Sequence, residues 1–314
     1  MKKALLIIAT LFLLGNLKAI NENAGTSGFS FFKVTYSARA AAMANAYTGL
    51  ADQEDAVFFN PAGLTQISKP QAGATYMSYF DGVNCGSLVY TQPLQNEFYI
   101  AAFTQFLSAS ETKTLADANG NYAGTDGSFG VSEFLAGASV SKHFSDMVNV
   151  GLSVKFLQET LDEHSASAAA IDIGILHQTT NQNLKVGLAL KNLGKQLSYF
   201  SKEEYQEKLP QTLQIGFSYH PDPALFLNLD LYKPLEYDFS ALVGAEYRLH
   251  QMFCLRAGYK SNAKDWKTEG DYNSFAGFSM GFGLNWQNYN LDYSINSYGD
   301  LGFVHQISLR YSFK

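Results

Sequence analysis

Charge is scarce in this 314-residue chain: Asp, Glu, Lys and Arg make up 16% of it, against about 25% in an ordinary soluble domain. Long apolar runs are missing too. Beyond residue 19 no uncharged apolar stretch approaches the ~20 residues that a membrane helix needs, so the mature chain either is soluble or crosses a membrane with strands. Cysteine is limited to Cys85 and Cys254. The strand reading below sets these two near opposite ends of the fold, which argues against a disulfide between them. Basic excess is also absent. Removing Lys2, Lys3 and Lys18 with the leader described next leaves 19 basic against 28 acidic side chains, a net charge of −9, and nothing in that balance points to nucleic acid.

What is present begins at the amino terminus. Met1, Lys2 and Lys3 precede an apolar stretch from Ala4 to Leu14, and Gly15 to Ala19 follow. This is the pattern of a secretory signal peptide, cleaved after Ala19, with Lys18 unusual so close to the cut. Ile20, not cysteine, stands directly after the cut, so a lipoprotein anchor is not indicated. The chain is rich in Phe (24), Tyr (19) and Gly (26). A barrel wall accounts for this, because its outer face needs aliphatic side chains flanked by aromatics while small residues suit a crowded lumen.

From about Gln71 to Phe313 apolar residues recur at every second position. Val148, Val150, Leu152, Val154 and Phe156 interleave with Asn149, Gly151, Ser153 and Lys155; Leu225, Leu227, Leu229 and Leu231 interleave with Asn228 and Asp230. Period two marks strands with one apolar and one polar face. A soluble sandwich also alternates. The connections favour a barrel: short turns near Gln95, Ser145, Thr179, Pro221, Leu249 and Gln287 alternate with longer loops such as Ser108 to Ser132, Gln158 to Ala166, Gly194 to Pro210 and Ser261 to Tyr272. The loops hold much of the charge, including Lys202, Glu203, Glu204, Glu207 and Lys208, which reads as solvated surface. The expected fold is an all-β membrane protein, an antiparallel up-and-down outer-membrane β-barrel of about fourteen strands with a short helical N-terminal hatch. Its divisions are a signal peptide (1–19), a hatch or plug segment (20–70) and a transmembrane barrel (71–314).

Between Ser37 and Leu64 the period changes. Ala38 to Ala46 is a small-residue run with strong helix propensity, holding Arg39 as its single charge, and Ser37 is placed to cap it. After an acidic stretch comes Phe58, Phe59, Asn60, Pro61, Ala62, Gly63, Leu64, where Asn60 can cap a short helix with Pro61 at its first position. Ser37, Ala42, Met43, Phe58, Phe59, Asn60, Pro61, Gly63 and Leu64 are therefore assigned to a plug inside the lumen or against its periplasmic mouth. The stretch SARAAAMANAYTGLADQEDAVFFNPAGL resembles the N-terminal signature of the PorV/PorQ family, which is related to FadL-like barrels, and GLALKNLG (187–194), GAEYRL (244–249) and RAGYK (256–260) resemble later pieces of it. The resemblance implies a fourteen-stranded barrel with an N-terminal hatch. It also implies either an accessory role in type IX-like protein export or outer-membrane biogenesis, or FadL-like uptake of hydrophobic small molecules.

Enzymatic chemistry finds little support. Gly277-Phe278-Ser279-Met280-Gly281 matches G-x-S-x-G, yet lies in an alternating stretch where the pattern needs a strand-to-helix turn. The six histidines are scattered without metal-ligand spacing. No catalytic residue, metal or cofactor is expected. Alternation turns Lys155, Asp172, Lys185, Lys191, Asp230, Glu246, Arg256, Asp292 and Arg310 toward the lumen, where mixed signs suit ion pairs that hold the hatch, or an ion-selective pathway. Phe58, Phe59 and Leu64 could line an apolar pocket or serve as packing anchors. Expected partners are outer-membrane lipid, with secretion components, exported proteins or a hydrophobic ligand.

Overall fold

The computed structural model describes residues 25–80, 83–202, 205–266 and 274–314. The signal peptide, Glu203 and Glu204 lie outside them. Fourteen strands form one closed antiparallel barrel: β1 (Gln71–Ser78), β2 (Asn84–Pro93), β3 (Phe98–Ala116), β4 (Tyr122–Ser145), β5 (Val148–Leu161), β6 (His164–Gln178), β7 (Leu184–Ser198), β8 (Thr212–Asp222), β9 (Leu225–Pro234), β10 (Ser240–His250), β11 (Phe253–Lys260), β12 (Phe278–Trp286), β13 (Tyr289–Ser297) and β14 (Phe303–Ser312). Each strand pairs with its sequence neighbours, and β1 closes on β14 from Gln71↔Ser312 to Ser78↔His305. Closure leaves no edge, so every wall amide and carbonyl can be paired between strands. Among the described residues no helix is long and apolar enough to cross a membrane.

Alternation decides which side chains face outward. On β5, Leu152, Val154 and Phe156 are exposed on the outer surface while Ser153, Lys155 and Leu157 are buried within. Aromatics gather toward the short-turn end, where Trp286 stacks on Tyr289 with ring centroids 6.4 Å apart and Tyr311 meets Phe313 edge-on at 4.9 Å. Rings with a polar tip suit a membrane interface.

Two expected loops prove to be strand. The ladder of β3 and β4 continues to Ala116↔Tyr122, through the span expected as the loop Ser108 to Ser132. That of β5 and β6 runs to Leu161↔His164, through the span expected as Gln158 to Ala166. Polar composition pointed to a loop there, but Thr112, Thr114 and Thr125 are β-branched and the backbone can pair without a buried face. Since β2 ends opposite Ser108 and β5 opposite Val131, the residues between project as a two-stranded ribbon on the long-loop side. The helical content of the N-terminal segment is also smaller than expected. Its α-helix covers only Ala38–Ala42 (α1), because Ala44 and Asn45 adopt φ of 57° and 62°, and the rest is 3-10 turns and extended chain.

Val154→Arg places a charge on the lipid face, where it costs about 2–4 kcal/mol at the bilayer midplane and close to nothing at the interface. Folded yield in vesicles, read as heat-modifiable gel migration, should fall for Val154→Arg and stay near normal for Leu249→Arg on the exposed short-turn rim.

Candidate functional site: the packed lumen

Residues 25–67 run through the barrel. At the long-loop end the Gly28 amide donates to the Lys208 carbonyl at 3.1 Å, and Lys33 pairs with Glu236 at 2.7 Å. At the other end the ammonium of Lys185, near the start of β7, donates to Gln66, and the Phe313 amide donates to the Pro70 carbonyl at 2.9 Å. The segment fits because both it and the wall are thin where they meet. Ala38, Ala40, Ala42, Ala44 and Ala46 are fully buried. Opposite them and the following turn, the inward positions of β5–β8 and β10–β12 carry Gly151, Gly174, Gly187, Gly216, Gly244, Gly258 and Gly281. A Cβ on Gly187 would overlap the Thr48 carbonyl, and one on Gly151 would overlap Ala62.

Polar groups hold the segment in register. Ser37 caps α1 by accepting from the Ala40 amide at 3.0 Å, and its hydroxyl donates to Asp55 at 2.5 Å. Asn60 accepts from the Ala62 amide at 3.1 Å, as a cap of the 3-10 turn Pro61–Gln66. Its amide nitrogen donates to the carbonyls of Thr48 (3.1 Å) and Ile175 (3.0 Å), so it joins two parts of the segment to β6. Asp230 on β9 accepts from the amides of Tyr47 (3.1 Å) and Thr48 (2.9 Å) and from Gln214 (2.8 Å). Gly63 lies so close to Ala51 that any side chain would strike the Ala51 carbonyl.

Arg39 anchors the largest charge cluster. Its Nε donates to Glu246 Oε2 at 2.7 Å and its Nη2 to Oε1 at 3.1 Å, a two-pronged grip on β10. Nη1 reaches Asp52 at 2.5 Å and the Tyr47 hydroxyl at 3.1 Å. Arg256 on β11 bonds the same Glu246 at 2.7 Å and Asp292 on β13 at 2.6 Å. The planar guanidinium suits such a site, since it presents several donors in a fixed fork. Arg310 on β14 stands 3.6 Å from Glu54, too far for a hydrogen bond. Burial pushes the Glu54 carboxyl up to about 8, with Arg310 opposing only part of the shift.

A cavity of about 380 Å³ lies between the segment and the long-loop half of the wall. Phe31, Phe32, Val34 and Phe59 face it from the segment, Met77 and Leu107 from β1 and β3, and Lys191, Gln214, Lys260 and Gln306 from β7, β8, β11 and β14.

No family model matches the chain. A curated relative, the UPF0164 protein of Treponema pallidum (strain Nichols), is 27% identical over 235 residues, covering 68% of this chain and 53% of its own length, so the chain spans about half of that relative. Solved structures overlap almost end to end. The Pseudomonas putida toluene transporter TodX shares 13% identity at a TM-score of 0.57, covering 86% of this chain and 96% of its own. The monoaromatic hydrocarbon channel CymD shares 12% at 0.59, covering 89% and 98%. A Pseudomonas aeruginosa FadL homologue shares 13% at 0.57, covering 86% and 96%. The fold is that of the FadL-like outer-membrane channels. A PorV/PorQ assignment does not emerge from these likenesses, and the neighbours are transport channels rather than enzymes.

Within this FadL-like barrel the nine lumen charges read from alternation fall into groups. Glu246, Arg256 and Asp292 meet around Arg39. Lys155 and Asp172 pair with each other on the wall at 2.7 Å. Lys185, Lys191 and Asp230 bond the segment, Lys191 through the Phe58 carbonyl at 2.7 Å, and Arg310 faces Glu54. Of the apolar residues assigned to a pocket, only Phe59 lines the cavity. Phe58 packs edge-on against Phe103 and Tyr36 at 5.6 and 6.4 Å, and Leu64 is fully buried. Ser279 lies inside β12 opposite Asn296 and Gly258, with no helix following, so the nucleophile turn is absent. Sequence reasoning missed the part played by Arg39, which it noted only as the single charge of the small-residue run. The signal was a lone charge within an alanine run. It read the small residues as suited to a crowded lumen but did not set the individual glycines, which recur on the lumen parity, against the segment.

Removing one partner of a buried charge cluster costs about 3–5 kcal/mol. Arg39→Met should therefore release the segment from a wall that still folds, read as new protease cleavage within residues 25–67 of a heat-modifiable barrel. Glu54 gives a pH dependence. Its folded value of about 8 stands above the ordinary 4.5, so docking is undisturbed below the ordinary value and weakens as pH rises through the window between them. Bilayer conductance should rise between about pH 5 and about pH 9, and Glu54→Gln should flatten that rise.

Proposed function

We propose that this protein is an outer-membrane channel for small molecules with apolar bodies, in which residues 25–67 act as an internal plug. The observation that carries the reading is the cavity on the long-loop side of the segment, with Phe31, Phe32 and Phe59 facing it and the charge cluster holding the segment in place. A pocket with aromatic walls and a few placed polar groups is the usual form of a small-molecule site. The long loops face outward and the short turns face the periplasm, as in other outer-membrane barrels. A ligand would enter from the loops, rest in the cavity, and pass the segment once it shifts. TodX, a toluene transporter, and CymD, a monoaromatic hydrocarbon channel, favour this reading for a chain of the same fold. The export-accessory role implied by the resemblance of Ser37 to Leu64 has no comparable support, and we rank it second.

The test is flux in vesicles. Proteoliposomes holding the barrel should take up toluene faster than empty liposomes, and deleting residues 25–67 should leave an inserted barrel with much larger ionic conductance in planar bilayers. Toluene uptake no faster than through lipid alone would overturn the channel, and unchanged conductance after deletion would overturn the plug.

A further inference from the structure

The cavity lining divides by chemistry around the barrel. Toward β1, β3 and the Phe31–Phe32 part of the segment it is largely apolar, with Met77 and Leu107 beside those rings. The arc from β7 round to β14 is largely polar and is joined by Asn45 of the segment, and two features of this side bear on a ligand. First, neither Lys191 nor Lys260 has a carboxylate within 4.0 Å among the described residues, whereas Lys155 is paired with Asp172 at 2.7 Å. Lys191 spends one donor on the Phe58 carbonyl, and the Lys260 ammonium makes no hydrogen bond among the described residues. Second, Asn45 Oδ1, Asn262 Oδ1 and Gln306 Oε1 are buried without a hydrogen-bond partner, and all three residues line this one cavity. Glu133, the carboxylate on the lining, also keeps Oε2 unpaired, and it sits on β4, half-way round the fourteen-strand wall from β11.

We propose that the cavity binds an aromatic hydroxy acid, its ring against Phe31 and Phe32, its carboxylate toward Lys191 and Lys260, and its hydroxyl donating to Gln306 Oε1, one of the unpaired acceptors. The proposal rests on the channel reading and adds the polar half of the ligand. A pure hydrocarbon would leave the Lys260 ammonium and the buried acceptors without a partner, which is costly. An anion answers the lysines, and a hydroxyl hydrogen answers one of the acceptors. The ring gains edge and face contacts with the phenylalanines. Glu133 repels the carboxylate from the β4 side, so the anion points toward Lys260.

Calorimetric titration of the detergent-folded barrel with 4-hydroxybenzoate, benzoate and toluene tests this. The expected order of affinity is 4-hydroxybenzoate, then benzoate, then toluene. Lys260→Met should lower the ratio of 4-hydroxybenzoate to toluene affinity about tenfold, the size of one charge-assisted hydrogen bond, and Gln306→Leu should narrow the gap between 4-hydroxybenzoate and benzoate. Heat-modifiable migration confirms that each variant is folded. Should wild-type barrel bind toluene as tightly as 4-hydroxybenzoate, or Lys260→Met leave the ratio unmoved, the hydroxy-acid site is wrong while the channel stands. Should none of the three bind, both readings fall.

Discussion

A closed wall of fourteen strands has a fixed bore, and everything inside this protein is adjusted to that bore. Pairing of β1 with β14 satisfies the wall's own backbone, but it sets how much room remains for another length of chain. Residues 25–67 occupy that room only because alanine and glycine face glycine across it. Backbone approaches backbone there, and around those close contacts the segment buries its large side chains, Tyr36, Tyr47, Phe59 and Leu64 among them, so dispersion contact and apolar burial act together. The same closeness leaves little space for water, so polar groups in the segment must find partners in the wall. Asp230 accepting two successive amides and Asn60 reaching two carbonyls are consequences of that exclusion.

The charge cluster follows from the same constraint. Arg39 is nearly inaccessible, and an unpaired guanidinium at that depth would not be tolerated. Two carboxylates, Glu246 and Asp52, surround it, and Arg256 with Asp292 extends the alternation of sign. A cluster of this kind contributes less net stability than its short contacts suggest, because desolvation of each ion offsets the attraction. Its value lies in specificity. A shift of the segment by one residue would separate Arg39 from the fork of Glu246 and leave several charges buried alone, so one docked arrangement is selected strongly over its neighbours.

The wall was legible in the sequence because its rule is local. Leu152, Val154 and Phe156 alternate with Ser153 and Lys155, and no other part of the chain is needed to tell which face each takes. Charged residues such as Lys155 and Arg256 could be set on the lumen side by the same parity. Their partners could not, since Arg39 and Glu246 are joined across most of the chain and no period connects them. The limits of the helix were hidden for a related reason. Ala44 and Asn45 are compatible with a helix in isolation, yet turn left-handed where the chain passes Gly258 and Gly244. The long β3–β4 ribbon was missed because polar residues in a strand exposed on both faces carry no alternation to read.

The path of the segment bears on how such a molecule can be assembled. Chain enters the lumen at the Lys208 and Glu236 end and leaves at the Pro70 end, where it continues directly into β1. A finished cylinder would have to be threaded end to end by a strand of backbone with its charges stripped of water, a route with a prohibitive barrier. Docking of the segment before the seam between β1 and β14 closes avoids that route, and closure then shuts the segment in against the wall glycines.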